Sequence, residues 1–384
     1  MNNKPSLFIK DTVKSLTFIV PVIFSMAICS GMGAFAGAVF ACAATLLCNP
    51  LNKKQQMPIY VSLLIITSIF KKYGASSAAL SIVICGILLA VSSLFYNKIK
   101  SKFENITDAS VSGTVMLSCA IIVTILFTTD YFGIGATGYN AKEMIESYIS
   151  LGFHPNWRGV LYGTIVMVVM ITFPRKFKKA SGIVSASFIA LIITTVLNLF
   201  LNPSDMISAI SEVGKLSFVD YRNNLLLSLF KTKPSFLISV LSGVSLFVTN
   251  LYALITNNEY SKKDLLACGV MNTVSGFATN LTLPCINKKE KFLSSLIAAI
   301  TAGVMFFVLQ DYIARIPVHS CAVIIIVGVW QSVNWKEVKK IFLSVSGVLI
   351  FAAVAVSSSY VGYWITPFYV LIFTLIFKPQ KSNK

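Results

Sequence analysis

The sequence predicts an all-α polytopic membrane protein of about 14 transmembrane segments in a 7+7 inverted repeat, with half-helices at spans 3 and 10. Three observations predict it. Of 384 residues, 56% are hydrophobic and only 12% are charged, against roughly a quarter charged in soluble domains. Apolar runs of near span length recur from end to end, among them 75–95, 111–127, 159–173, 236–255 and 343–356; a helix needs about 20 mostly apolar residues to cross the hydrocarbon core. Basic residues return at alternate loops, which is how short cytoplasmic loops orient a membrane protein.

The elements follow in order. Lys4, Lys10 and Lys14 precede an apolar run that begins near Leu16. No small-residue cleavage motif follows a short apolar core, so the first span reads as retained rather than as a signal peptide. The spans fall near 15–30, 31–48, 57–70, 75–96, 109–130, 158–174, 181–201, 235–256, 264–279, 281–287, 292–313, 318–332, 339–357 and 360–378. With the N-terminus in the cytoplasm, loops after even-numbered spans are expected to be basic. They hold Lys53/Lys54, Lys98/Lys100/Lys102, Arg175/Lys176/Lys178/Lys179, Lys262/Lys263, Lys288/Lys289/Lys291 and Lys336/Lys339/Lys340. Lys71/Lys72 and the mixed loop 202–234 are the two exceptions. The division is therefore a first seven-span repeat at 1–201, an extracytoplasmic connecting loop at 202–234, a second repeat at 235–378 and a short cytoplasmic tail at 379–384. The protein is expected in a cell membrane with both termini cytoplasmic.

The two short spans, 57–70 and 281–287, stand third in each half and carry Pro58 and Pro284. Proline is favoured in the first turn of a helix, where its missing N–H leaves nothing unsatisfied. Broken helices at matching positions of an inverted repeat point to a transporter's binding site. Two such half-helices would aim free N–H groups and positive dipole ends at one point, an anion site that needs no arginine. A plain loop or a proline-kinked span explains either proline taken alone. The segments ahead of the breaks, "CSGMGAFAGAVFACAATLL" and "LLACGVMNTVSGFATN", are rich in small residues that let helices approach closely in lipid.

Other chemistry is missing. The formal net charge of +18 is accounted for by loop lysines, so no nucleic-acid partner is expected. The eight cysteines lie in or beside apolar segments, and no Cys/His spacing suits a metal. No Ser/His/Asp set, G-x-S-x-G or Walker motif is found, so no enzyme, catalytic residue, metal or cofactor is expected. The glycine-rich "GIGATGYN" at 133–140 lacks a strand–helix context and reads as a turn in an outside loop after Asp130.

At several stretches the chain resembles the SulP anion transporters, related to the solute carrier 26 proteins of animals. "DLLACGVMNTVSGF" resembles the stretch ahead of that family's tenth span, and "RIPVHSCAVIIIVGVWQSVNWKEVKKIF" its Ile-Pro…Val-Gly segment. "KDTVKSLTFIVPVIFSMAICSGMGAFAGAVFA" is similar to the first two spans, and "QQMPIYVSL" sits where the family has Gly-Pro-Thr-Ala. The resemblance implies core and gate domains and an elevator-like movement of the core. It also implies an anion held between half-helices three and ten, flanked by spans one and eight. Carried over by position, the substrate-binding residues would be Phe24, Pro58, Ile59, Tyr60, Val61, Ser62, Asn250, Tyr252, Pro284, Cys285 and Ile286. A homodimer is an expectation of the same kind. The chain departs from the pattern where Val22 follows Pro21, where Met57 precedes Pro58, and in span eight, where 235–256 holds no acid and Asn250 stands nearest to the family's glutamate. The STAS domain that many members carry is not found after "FKPQKSNK".

The expected function is secondary transport of a small anion, such as sulfate, bicarbonate, chloride or a dicarboxylate, by alternating access in the lipid bilayer. Without a span-eight acid, exchange or uniport is expected over proton symport. The alternatives are a nucleobase or aromatic-acid carrier of the same fold and a degenerate, non-transporting membrane protein.

Overall fold

The computed structural model describes residues 4–29, 56–104, 109–201, 233–255, 262–278 and, with short interruptions, 297–368. Those residues are nearly all helical, and no strand occurs among them. The first half holds α1 (Lys4–Cys29), α2 (Gln56–Ser92), α3 (Tyr96–Glu104), α4 (Ala109–Phe132), α5 (Ala141–Leu151), α6 (Trp157–Lys176) and α7 (Ala186–Leu201). The second holds α8 (Phe236–Ile255), α9 (Lys262–Ala278), α10 (Val318–Ser332), α11 (Trp335–Phe342) and α12 (Val345–Val361). Helical segments at 60–100, 113–132 and 157–176 are long and apolar enough to cross a membrane, and six shorter apolar helices accompany them. The chain is a multi-pass membrane protein. The expected span at 31–48 and the short one at 281–287 lie outside the described residues.

Three boundaries differ from the sequence reading. The short third span starts at Gln56 and continues to a sharp turn at Gly74, where α2 folds into two arms, 56–73 and 75–92. Gly74 has φ 82° and ψ 174°, a backbone region essentially reserved for glycine. A Cβ there would meet nothing within 4 Å, so Gly74→Ala tests backbone strain alone. It is expected to lower stability by about 1–3 kcal/mol, read as a lower melting temperature in detergent; an unchanged melting temperature would show that the turn relaxes freely.

The second difference is α4, which runs on to Phe132, two residues past the expected end at Asp130. Beyond it, Gly133 and Gly135 both have positive φ, and Ala136 N donates to Thr129 Oγ1 at 2.8 Å; "GIGATGYN" is a turn. An unexpected helix, α5, follows. Asn140 Oδ1 accepts from Glu143 N at 2.8 Å while Glu143 Oε2 accepts from Tyr139 N at 3.4 Å, a reciprocal cap that satisfies two orphan donors. Third, the run at 339–357 is two helices, α11 and α12, rather than one span.

Packing sorts the helices into two groups. In the first, the 75–92 arm of α2 lies between α8 and α9. Contact with α9 is backbone to backbone: a Cβ on Gly86 would lie 2.7 Å from Gly269 O, one on Gly269 2.8 Å from Gly86 O, and one on Gly276 2.9 Å from Val83 N. Small residues permit this approach, and close van der Waals packing is what binds helices in lipid. Contact with α8 is through hydroxyls. Ser239 Oγ donates to Ser77 O at 3.1 Å, and Ser235 N donates to Ser77 Oγ at 3.1 Å; such bonds average about 0.6 kcal/mol inside membranes.

The second group assembles around α4 and α10, which pack on each other and on α6, α11 and α12. Polar tips of aromatic side chains close it. Trp330 Nε1 donates to Thr124 Oγ1 at 2.8 Å, Tyr363 Oη to Val115 O at 2.9 Å and Tyr148 Oη to Ile125 O at 2.9 Å. The α1 helix runs along this group, resting on α10 and α7, where Thr17 Oγ1 donates to Ile183 O at 3.2 Å.

Candidate functional site

The 56–73 arm of α2 leaves the first group and enters the second. Its first turn contains Pro58 as the third helical residue, so the opening N–H groups have no intrahelical acceptor. From Tyr60 to Ile69 every residue is buried. The Tyr60 hydroxyl lies against Gly328 of α10, where no Cβ blocks it, and near the Cys119 thiol of α4. Val61 and Ser62 are buried beside it in sequence, and the Ser62, Thr67 and Ser68 hydroxyls have no hydrogen-bond partner among the described residues. Unpaired polar atoms at that depth are rare enough to need a cause.

Phe24 reaches the same region from α1. It is 2% exposed, as is Tyr60, and α1 packs on α10. Phe24 and Tyr60 thus belong to two elements that both pack against α10. Asn250 sits elsewhere in the fold: its amide donates to Leu246 O at 2.9 Å and approaches Cys85 Sγ at 3.8 Å, on the other arm of α2. The side chains of Pro58, Ile59 and Tyr252, and all of Pro284, Cys285 and Ile286, lie outside the described residues.

Two further polar side chains, His319 and Asp130, which the sequence reading assigned to no site, are buried or half-buried in the same helix group. His319, in the first turn of α10, is 2% exposed, and neither ring nitrogen has a hydrogen-bond partner among the described residues. Its ring fills the space over Gly159, and a Cβ on Gly133 would lie 3.0 Å from its Nε2. Asp130, on the last turn of α4, interacts electrostatically with Lys71, at the Gly74 end of the 56–73 arm, and lies near the thiols of Cys29 on α1 and Cys321 on α10. Tyr148 of α5 also faces Asp130, and burial pushes its phenol up, so it stays protonated. Beside Lys71, Lys72 Nζ donates to Tyr139 Oη at 2.7 Å and stands 4.0 Å from the ring centroid. Of the lysine pair that broke the charge alternation, Lys72 is thus held by Tyr139. No cluster of three or more His, Cys, Asp or Glu side chains occurs among the described residues.

The structure is similar to the transmembrane domain of a cyanobacterium bicarbonate transporter, BicA, with TM-score 0.68 and 16% identity over 98% of both chains. It is also similar to SLC26A9, with TM-score 0.61 and 14% identity over 98% of this chain and 66% of that one. Murine Slc26a9, an anion transporter in the inward-facing state, matches with TM-score 0.62 and 12% identity over 99% of this chain and 70% of that one. No protein-family model and no curated protein matches the sequence. What is shared is the fold.

Proposed function

We propose that this chain is a secondary transporter that moves a small anion, sulfate, bicarbonate, chloride or a dicarboxylate, across the membrane by alternating access. The carrying observation is the whole-length likeness to two anion transporters. The buried 56–73 arm supports it, because every residue from Tyr60 to Ile69 is buried and a helix start carries free N–H groups and a positive dipole end. The substrate would be held there, near Tyr60, Val61 and Ser62, with Phe24 across from them and the segment at Pro284–Ile286 completing the site. The proposed frame is fourteen spans in two inverted repeats, 1–201 and 235–378, joined by the loop 202–234, with both termini cytoplasmic and a homodimer as the assembly. Helices α8 and α9 with the 75–92 arm of α2 would belong to the moving core, α4, α6 and α10–α12 to the gate, and α1 and the 56–73 arm would lie at their junction.

A second reading, a non-transporting protein of the same fold, draws on one observation: Phe24 and Tyr60 are each only 2% exposed, so bulky side chains occupy the junction. Flux separates the two. Purified protein in proteoliposomes is expected to take up one of labelled sulfate, bicarbonate, chloride, oxalate or fumarate saturably. Ser62→Trp is expected to abolish that uptake while the protein stays folded. Movement of uracil or benzoate alone would overturn the substrate class. No movement by folded protein would overturn transport itself.

A further inference from the structure

We propose that α5 and the connection after it form a membrane-surface element: the helix lies in the headgroup layer, with Ile145, Ile149, Phe153 and Trp157 seated in phospholipid. The inference goes beyond transport and stands or falls apart from it. Side chains sort α5 into three stripes. Ala141, Met144 and Tyr148 face protein; the first two are buried, and the Tyr148 hydroxyl donates to Ile125 O at 2.9 Å. Lys142, Glu146 and Ser150 are exposed on another side, where Lys142 Nζ and Glu146 Oε1 stand 3.6 Å apart. Ile145 and Ile149 run between these two stripes, as the helical repeat requires, and Ile149 is 76% exposed. The apolar face of α5 is therefore wider than the protein it packs on.

Single exposed apolar residues need no explanation, but these continue into a surface that faces lipid. Gly152, with φ 74°, ends α5, and Asn156 N donates to Phe132 O at 2.8 Å, pinning the connection to the end of α4. Asn156 Oδ1 then accepts from Gly159 N at 3.2 Å and opens α6. Phe132, Phe153 and Trp157 meet edge to face along this path, with ring centroids 5.2 and 6.5 Å apart. Phe153 and Trp157 are 61% and 68% exposed. Trp157 heads the exposed flank of α6, which continues through Leu161, Val168 and Ile171 at the spacing of one helix face. In a helix long and apolar enough to cross a membrane, that flank meets acyl chains, and an aromatic at its head belongs at the lipid–water boundary. The strip from Ile171 back to Ile145 thus has one medium as its partner. Lipid is favoured over a second copy of the chain because Lys142, Glu146 and Ser150 border the strip on the water side, the division of an interfacial helix.

The test places nitroxide labels at Ile145→Cys, Ile149→Cys and Phe153→Cys, and for comparison at Glu146→Cys and Ser150→Cys, in phosphatidylcholine nanodiscs. The described cysteines, Cys29, Cys85, Cys119, Cys268 and Cys321, are buried, and wild type treated alike supplies the background. Relaxation by oxygen, which concentrates in lipid, is compared with relaxation by a water-soluble nickel chelate. Labels at 145, 149 and 153 are expected to respond to oxygen and to lie about 5–10 Å into the boundary between headgroups and acyl chains; labels at 146 and 150 are expected to respond to nickel. Dominance of nickel at 149 and 153 would overturn the proposal. Protection from both reagents there would overturn it as well, and spin–spin broadening would then identify a second copy as the occupant. Trp157 gives a check without labels: the fluorescence lost in Trp157→Phe is expected to be quenched by nitroxide-bearing phospholipid and not by iodide, and the reverse would sink the idea. Flux is no part of the readout, so a chain that moves no tested anion counts against the transporter reading alone.

Discussion

Gly269→Leu is expected to prevent formation of the folded protein. The reason is the identity of the atoms in the way. A Cβ on Gly269 would lie 2.8 Å from the carbonyl oxygen of Gly86, and a backbone atom inside a helix cannot rotate aside as a side-chain tip can. Overpacking costs typically 1–3 kcal/mol where neighbours can shift. Here α2 and α9 would have to separate bodily, losing the Gly276–Val83 approach as well. The expected result is loss of the monodisperse fraction on size-exclusion chromatography in detergent. Gly303→Ala is the control, since a Cβ there meets nothing within 4 Å. If Gly269→Leu melts like wild type, the two helices do not meet as described.

A large effect on activity with little on stability is expected at Gly328. There the obstructing atom is the hydroxyl of Tyr60, the far end of a side chain, so Gly328→Ala displaces Tyr60 without dismantling the helix pair. Flux is expected to fall by roughly tenfold, equivalent to about 1.4 kcal/mol, with the melting temperature nearly unchanged. Tyr60→Phe in the same background removes the colliding oxygen and is expected to restore most of the loss. A double-mutant cycle reads that coupling directly. Additive losses would mean that Tyr60 and Gly328 act independently and that the buried phenol has no part in the substrate site.

The helical membrane architecture was legible because lipid imposes it: long apolar runs and loop lysines are strong signals. The fold resemblance was legible from a few stretches around Asp264–Phe342, although identity to the similar structures is only 12–16%. Finer features were not. Asp130 stood beside Thr128, Thr129 and a glycine-rich turn, and local polarity there resembles the end of a span. Only the backbone shows that the helix continues to Phe132. Gly328 was one small residue in an apolar run, and its use as a seat for Tyr60 depends on a partner more than 250 positions away. His319 had no local signal at all; its burial over Gly159 is purely tertiary. Lys71 and Lys72 were visible as exceptions to the charge rule, and what holds Lys72 was not.

The wedging of the 75–92 arm between α8 and α9 has a consequence for biosynthesis. Ser77 meets Ser239, which follows it by 162 residues. At ribosomal rates of about 5–20 residues per second, the arm waits roughly ten to thirty seconds in the bilayer before its partner is made. During that interval its hydroxyls need acceptors, and Ser81 supplies its own by donating to Ser77 O within the same helix at 2.7 Å. The glycine face of the arm, at Gly86, has no such provision. The first half of the chain therefore enters the membrane as helices that are individually satisfied and collectively unfinished, and the second half is the template on which they close.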